Sequence, residues 1–259
     1  MLVRSDILSV DDGEPVAVDN AAGRGAALIV CEHASRRLPA AAGDLGLDAD
    51  ALASHIAWDP GALSLARLLS AALDATLVSQ RFSRLIYDCN RPPDSADAMP
   101  VMSEVYSIPG NEGLSPAERY ARTAALYVPF HDRISAIIAQ RTLAGQPTVV
   151  VTIHSFTPVY RGTPRAVEIG ILHDADSRLA DAMLSQLSAD APFLTERNKP
   201  YGPDDGVTHT LQLHALPNGL LNVMIEVRND LIADEKGQRA VADYLLRLLD
   251  RAMEGMKAD

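Results

Sequence analysis

The sequence predicts an α/β protein of three layers, with helices on both faces of a mixed, largely parallel central sheet. Three observations predict it. Short, continuously apolar runs at residues 26–31, 149–153 and 221–225 read as strands buried on both faces. These runs alternate with stretches of helical spacing, the pattern of a sheet flanked by helices. Each run also ends in residues suited to ligation or proton transfer: Glu32 and His33, His154, and Glu226. In open α/β sheets ligands bind just beyond the carboxyl ends of the strands, so three such ends suggest one site.

Taken in order, the stretch to residue 25 has scattered acids and glycines and reads as an extended lead-in. The first strand, 26–31, follows and delivers Glu32 and His33. Residues 59–73 carry Ala62, Leu65, Leu68, Leu69, Ala72 and Leu73 at helical spacing. Asp59 before Pro60 is N-cap chemistry followed by proline at the first helical position. Short strands are expected at 75–78 and 84–89, the second ending where Asn90-Arg91-Pro92-Pro93 must leave the sheet. Residues 94–113 are polar and rich in turn formers, and loops of that length often bind or cover ligands. Ser115-Pro116-Ala117-Glu118 reads as a capping box that opens a long helix to about residue 143, bent at Pro129. After the His154 strand come a strand over 165–172, a helix over 176–187 and a Pro/Gly/Asp loop over 200–206. A helix over 208–216, the Glu226 strand and an amphipathic terminal helix over 235–253 complete the series. No repeat or linker divides the chain, so residues 1–259 are expected to form one domain.

Composition narrows the function. The chain is 47% hydrophobic and 22% charged, enough to bury a full core. No apolar run approaches the roughly 20 residues that span a bilayer, and the N-terminus lacks a signal-peptide pattern, so no membrane is expected as a partner. Cys31 and Cys89 sit in apolar contexts, as reduced thiols of a cytoplasmic protein do. With 23 basic against 34 acidic residues and a net charge of −11, nucleic acid is not an expected partner either. A small anionic substrate would need arginines gathered locally against the overall field. The assembly is expected to be a monomer or homodimer.

His33 and His154 are the leading metal ligands, because neutral imidazole is the commonest protein ligand for zinc and catalytic sites use three protein ligands plus an open position. The third ligand stays open. Asp59 can point a carboxylate back at the sheet edge, or it can be a plain N-cap. Glu32 neighbours His33, but adjacent strand residues face opposite ways, which suits a supporting position. Glu226 is the candidate general base, taking a proton from an attacking water and passing it to a leaving nitrogen. Arg228 shares its face by alternation and is grouped with it as catalytic. Asn90 and Arg91 suit carboxylate recognition, the arginine through its planar fork. Arg84, Arg81, His209, His214 and Asn229 are weaker candidates, of which Arg84 and His214 are assigned to substrate binding. His55, His131 and His173 read as structural or surface residues. Cys31 lies inside an apolar run, where a thiol is inert. Serine-hydrolase elbows, phosphate loops, dinucleotide fingerprints and paired-histidine zinc helices are all absent from the sequence.

Five motifs occur in order: Cys31-Glu32-His33-Ala34-Ser35, Trp58-Asp59-Pro60-Gly61-Ala62, Asp88-Cys89-Asn90-Arg91-Pro92, Thr152-Ile153-His154-Ser155-Phe156-Thr157-Pro158 and Ile225-Glu226-Val227-Arg228-Asn229-Asp230-Leu231. Together they resemble the N-formylglutamate amidohydrolase family over about residues 26–232. That family is related to the zinc carboxypeptidases and the aspartoacylase group. The resemblance implies their phosphorylase/hydrolase-like fold, a mixed eight-stranded sheet between helices. It implies zinc, or another divalent metal, held by His33 and His154. Asn90 and Arg91 would hold a substrate carboxylate, Ser155 would stand in a His-Ser-aromatic triplet, and Glu226 would be the catalytic acid/base. The implied activity is hydrolysis of N-formylglutamate to formate and glutamate, a step of histidine degradation. Another N-acyl amino acid or small peptide is the alternative substrate, and a catalytically silent carboxylate-binding protein the alternative role. One departure stands out: the carboxypeptidases place a ligand glutamate three residues after the first histidine, and here that position is Arg36. A cation cannot ligate zinc, which is why Asp59 enters the metal set.

Overall fold

The computed structural model describes residues 7–255. Its centre is a seven-stranded sheet in the order β1-β3-β2-β6-β11-β9-β10. These strands are β1 (Val16–Asp19), β2 (Ala27–Cys31), β3 (Thr76–Gln80), β6 (Val149–Phe156), β9 (Ile169–Leu172), β10 (Thr195–Arg197) and β11 (Leu221–Arg228). The hairpin strands β4 (Met102–Ser103) with β5 (Tyr106–Ser107), and β7 (Val159–Tyr160) with β8 (Thr163–Pro164), lie outside it. The central strands β3, β2, β6 and β11 run parallel, while β1 and β9 pair antiparallel with β3 and β11. Every residue of β2, β3 and β6 is buried, which is why these segments read as unbroken apolar runs.

Alternation along the strands divides the core in two. Ile29, Val151, Ile153, Val223 and Ile225 face α2 (Ala62–Ala72), α5 (Arg178–Leu184) and α6 (Glu235–Gly255), meeting Leu65, Leu69, Met183, Leu245 and Leu249. Leu28, Val30, Val150 and Met224 face the other layer, where α4 (Val128–Leu143) contributes Phe130, Ile134 and Ile138. Each such side chain, removed from water, contributes about 1.5–3 kcal/mol. His154 and Glu226 follow Val150 and Met224 in period two, so they lie on the α4 side, and the parallel register sets Glu226 directly beside His154. Helix α2 begins after Gly61, whose φ is +82° and whose Cβ would stand 2.5 Å from the carbonyl oxygen of Ile232. Only glycine fits there, and this fixes how the Asp59-Pro60 turn returns to the sheet edge.

The fold class and the main strands agree with the sequence. The differences are local. The sheet has seven strands among the described residues rather than eight. The lead-in contains the edge strand β1, whose four residues are half-buried. Residues 84–89 form turns, not a strand, because Ile86 and Arg91 donate backbone hydrogen bonds to local carbonyls and Asp88 to Ala98. The loop 94–113 holds the β4–β5 hairpin. The predicted capping box forms at Ser115, opening α3 (Pro116–Arg122), and a π-turn at Thr123–Tyr127 joins it to α4, just before Pro129. The helix expected over 208–216 is largely a second π-turn, Leu211–Ala215. No helix among the described residues is long and apolar enough to cross a membrane.

Candidate active site

The ends of β2 and β6 and the turn before α2 meet at one carboxylate oxygen, with the end of β11 beside them. Asp59 Oδ2 lies 3.3 Å from His33 Nδ1 and 3.0 Å from His154 Nδ1. Asp59 is held from behind. Its backbone N–H donates to the His33 carbonyl at 2.9 Å, and Oδ2 accepts the Ser155 N–H at 3.2 Å. The side chain therefore faces the two imidazoles rather than capping α2, whose N-cap is Gly61 without a side-chain bond. The ring centroids of His33 and His154 are 4.9 Å apart and the rings are nearly perpendicular.

The far nitrogen of each ring meets another acid. His33 Nε2 is 2.7 Å from Asp88 Oδ1, and His154 Nε2 is 3.1 Å from Glu32 Oε2. Backing an imidazole with a carboxylate fixes its orientation and raises its basicity, as at metal sites. All five groups are buried or nearly so. Burial works against protonated His33 and His154, yet the acids around them win and raise both pKa values, His154 most. Burial also works against ionised Asp59, Asp88 and Glu32, but the neighbouring imidazoles, joined at Asp59 and Asp88 by Arg84, hold all three below the usual carboxylate range.

This set fits a divalent cation. Bonds of about 2.0–2.1 Å in tetrahedral arrangement place ligand atoms about 3.3–3.4 Å apart, close to the spacing around Asp59 Oδ2. His33, Asp59 and His154 each offer one ligand atom, all within 4.8 Å of one another. The charge agrees as well. Glu32, Asp59 and Asp88 outnumber the guanidiniums that act on them, Arg84 at Asp59 and Asp88 and Arg91 at Asp88, and protons on His33 and His154 offset the excess negative charge. A cation bound in their place would offset the same excess. Arg36 is not part of this set; its guanidinium lies 5.8 Å from the Trp58 ring centroid.

Glu226 is buried beside the triad, and its Oε2 has no hydrogen-bond partner. Burial pushes its pKa up to about 7, the range of a group that both takes and gives protons. Arg84 donates to the carbonyls of Ile56 at 3.0 Å and His55 at 2.5 Å, which aims Nη1 at Asp59 Oδ1, 3.2 Å away. These residues line a cavity of about 460 Å³ together with Asn90, Arg91 and Ser155. Arg91 donates Nη1 to the Asp205 carbonyl at 2.8 Å, and the missing side chain of Gly206 leaves room for it. The amide of Asn90 is spent on the backbone, donating to Val207 and accepting from Thr210, so it ties the 207–210 segment to the pocket rather than reaching a ligand. The Ser155 hydroxyl is likewise committed to the Pro60 carbonyl at 2.9 Å.

Two predicted site residues lie elsewhere. Arg228 ends β11 bound to Asp230 at 2.8 Å and Glu168 at 3.4 Å, outside the cavity lining; alternation gives its face, but the acid two residues on and another from a neighbouring segment turn the side chain away. His214 is stacked on His131, with their ring nitrogens 2.8 Å apart, on the far side of the Cys89 turn. Conversely, Asp88, Tyr201, Arg161 and the pair His55–Glu104 line the cavity without having been assigned to it from the sequence. Asp88 lies in the Asp88-Cys89-Asn90-Arg91-Pro92 motif, so it alone carried a signal in the sequence. The others arrive on turns whose course no local pattern gives.

The sequence model of the family described as N-formylglutamate amidohydrolase matches residues 25–233. Among solved structures, a gene product from Agrobacterium tumefaciens is 63% identical, with a TM-score of 0.95 over 97% of this chain and 99% of that one. The N-formylglutamate amidohydrolase of Ralstonia eutropha JMP134 shares the fold at 19% identity, with a TM-score of 0.65 over 93% of this chain and 99% of that one. No curated protein matches. The family match takes in β2, the Asp59 turn, β6 and β11, and with them every group that converges on Asp59; the chain belongs to the N-formylglutamate amidohydrolase family.

Proposed function

We propose that this amidohydrolase-family chain is metal-dependent and cleaves the N-formyl amide of an acidic amino acid, converting N-formylglutamate and water to formate and glutamate. The observation that carries this reading is the meeting of His33 Nδ1 and His154 Nδ1 at one Asp59 oxygen, with partnerless Glu226 alongside. A divalent cation such as zinc, bound by His33, Asp59 and His154, supplies Lewis acidity that polarises a carbonyl and acidifies water. Glu226 takes the proton of the attacking water, and its pKa of about 7 lets it return that proton to the departing amide nitrogen. Arg84, aimed by two backbone carbonyls, meets the negative charge that grows on the carbonyl oxygen. Arg91 retains Nε and Nη2 for a substrate carboxylate. Asp88 holds the His33 ring through a hydrogen bond at Nε2, and the Glu32 carboxylate faces the His154 ring as its counter-charge.

Metal content measured alongside formate release tests this reading. Glu226→Gln should lower kcat by 10²-fold or more while metal content stays at one per chain; turnover within a few-fold of wild type would refute the role of Glu226. The cavity of about 460 Å³ exceeds what a formyl group needs, so a panel of N-acyl amino acids belongs beside it. A preference for a longer acyl group would shift the substrate while leaving the chemistry.

A further inference from the structure

Three arginines line the cavity, and they differ in what remains of their hydrogen-bonding capacity. Arg84 already has a partner at each of Nε, Nη1 and Nη2, with one N–H left on Nη2 for the reacting oxygen. Arg91 has one nitrogen committed. Arg161 has no hydrogen-bond or ion-pair partner among the described residues, and its guanidinium lies 5.4 Å from the Tyr160 ring centroid. Arg161 is exposed at the pocket wall, and like Arg91 it has no carboxylate partner among the described residues. An unshared guanidinium there is a binding group for an anion.

The backbone adds a second, independent observation. Arg161 and Gly162 form the two-residue turn between β7 and β8, with Tyr160 opposite Thr163. Both have positive φ, +47° at Arg161 and +79° at Gly162. That turn favours asparagine, aspartate or glycine in its first position, and arginine adopts the left-handed region only at a conformational cost. The hairpin is also anchored. Arg165 packs its guanidinium 4.5 Å from the Tyr160 ring centroid and 4.9 Å from that of Tyr201, and donates to the Tyr201 hydroxyl at 2.8 Å. The arm that carries Arg161 is therefore held at its base.

We propose that Arg161 is the anchor for a second carboxylate, so that the pocket selects N-acyl derivatives of acidic amino acids by holding one carboxylate at Arg91 and the other at Arg161. This rests on the hydrolase reading above for where the amide lies, and it adds the residue that chooses the side chain. A neutral side chain of equal size, such as glutamine, leaves Arg161 without its partner and loses the selected contact.

The test pairs the substrate's charge with the arginine. Formate release from N-formylglutamate and N-formylglutamine is measured for wild type, Arg161→Ala and Arg161→Lys. Arg161→Ala should lose on the order of 10–100-fold in kcat/KM on the glutamate compound, mostly through KM, and less than about threefold on the glutamine compound. Lysine should restore part of the loss. Equal loss on both substrates, or no loss on glutamate, overturns the proposal. Calorimetric binding of the same two compounds in the Glu226→Gln background separates the two readings. If formate is never released but binding still discriminates through Arg161, the hydrolase reading falls and the anchor stands. If hydrolysis proceeds and binding is indifferent to Arg161, the anchor falls alone.

Discussion

Two buried histidine clusters lie on either side of the Asp88–Arg91 turn, and they are opposites. In the first, His33 and His154 are surrounded by Glu32, Asp59 and Asp88, and their pKa values rise. In the second, His131 meets His214 at 2.8 Å and donates to the Cys89 carbonyl at 2.8 Å, while His209 bonds the Tyr127 hydroxyl at 2.8 Å. Burial, reinforced by the neighbouring imidazoles, pushes His131 down to about 3 and His214 down to about 4. The same side chain thus becomes a charged, metal-ready group among acids and a neutral structural hydrogen-bonder among carbonyls, hydroxyls and other imidazoles. Counting histidines could not have separated them; their partners do.

The sharpest way to break this comparison is to make the same change in both clusters. His154→Asn should lower turnover by at least about 10²-fold and abolish stoichiometric metal binding, whereas His214→Asn should leave kcat within a few-fold and lower the thermal midpoint. Equal effects on turnover would show that the clusters do not differ in role. The next effect is on metal affinity. If both imidazoles must shed protons to bind the ion, zinc affinity should fall by on the order of 100-fold per pH unit where both are protonated. Titration calorimetry in buffers of different ionisation enthalpy would count those protons, and no proton release would contradict the charge balance described above.

The two clusters should also pull stability in opposite directions with pH in the metal-free protein. His33 and His154, raised on folding, contribute stability that is complete below the unfolded pKa of about 6.5 and is lost as pH rises through their folded values. His131 and His214, depressed to about 3 and about 4, cost nothing above pH 6.5, and they lose stability as pH falls from there toward their folded values, because only the unfolded chain takes up the proton. Each unmatched proton changes stability by about 1.4 kcal/mol per pH unit. Denaturant unfolding of His214→Asn against wild type should show the acid-side slope reduced by up to one proton; an unchanged slope would place the charge elsewhere. The smallest effect is expected at Ser155, whose hydroxyl makes one bond to the Pro60 carbonyl: Ser155→Ala should cost about 1 kcal/mol of stability and leave metal content unchanged.

Much of the first cluster was legible in the sequence because parallel strands announce themselves as apolar runs and their ends are where ligands gather. His33, His154 and Glu226 follow such runs directly. Asp59 was legible as a carboxylate at a helix start, though its choice between cap and ligand was not; that depends on the backbone amide of Ser155, which comes from another strand. Arg228 shows the limit of alternation, which assigns a face but not the neighbours that capture the side chain. His214 and Asn90 show the same limit on turns, where the partners are residues about 80 and 120 positions away. The edge strand β1 and the two hairpins escaped because they are short and half-exposed, with little apolar signal of their own.

X-ray absorption at the zinc edge of the protein loaded with one equivalent of zinc shows whether His33, Asp59 and His154 share one ion. A nitrogen/oxygen shell at about 2.0–2.2 Å with the outer-shell signature of two imidazoles and one carboxylate is expected, and that signature should be lost in Asp59→Asn or His154→Asn. A spectrum without imidazole scattering, or one unchanged by either substitution, would contradict a shared ion.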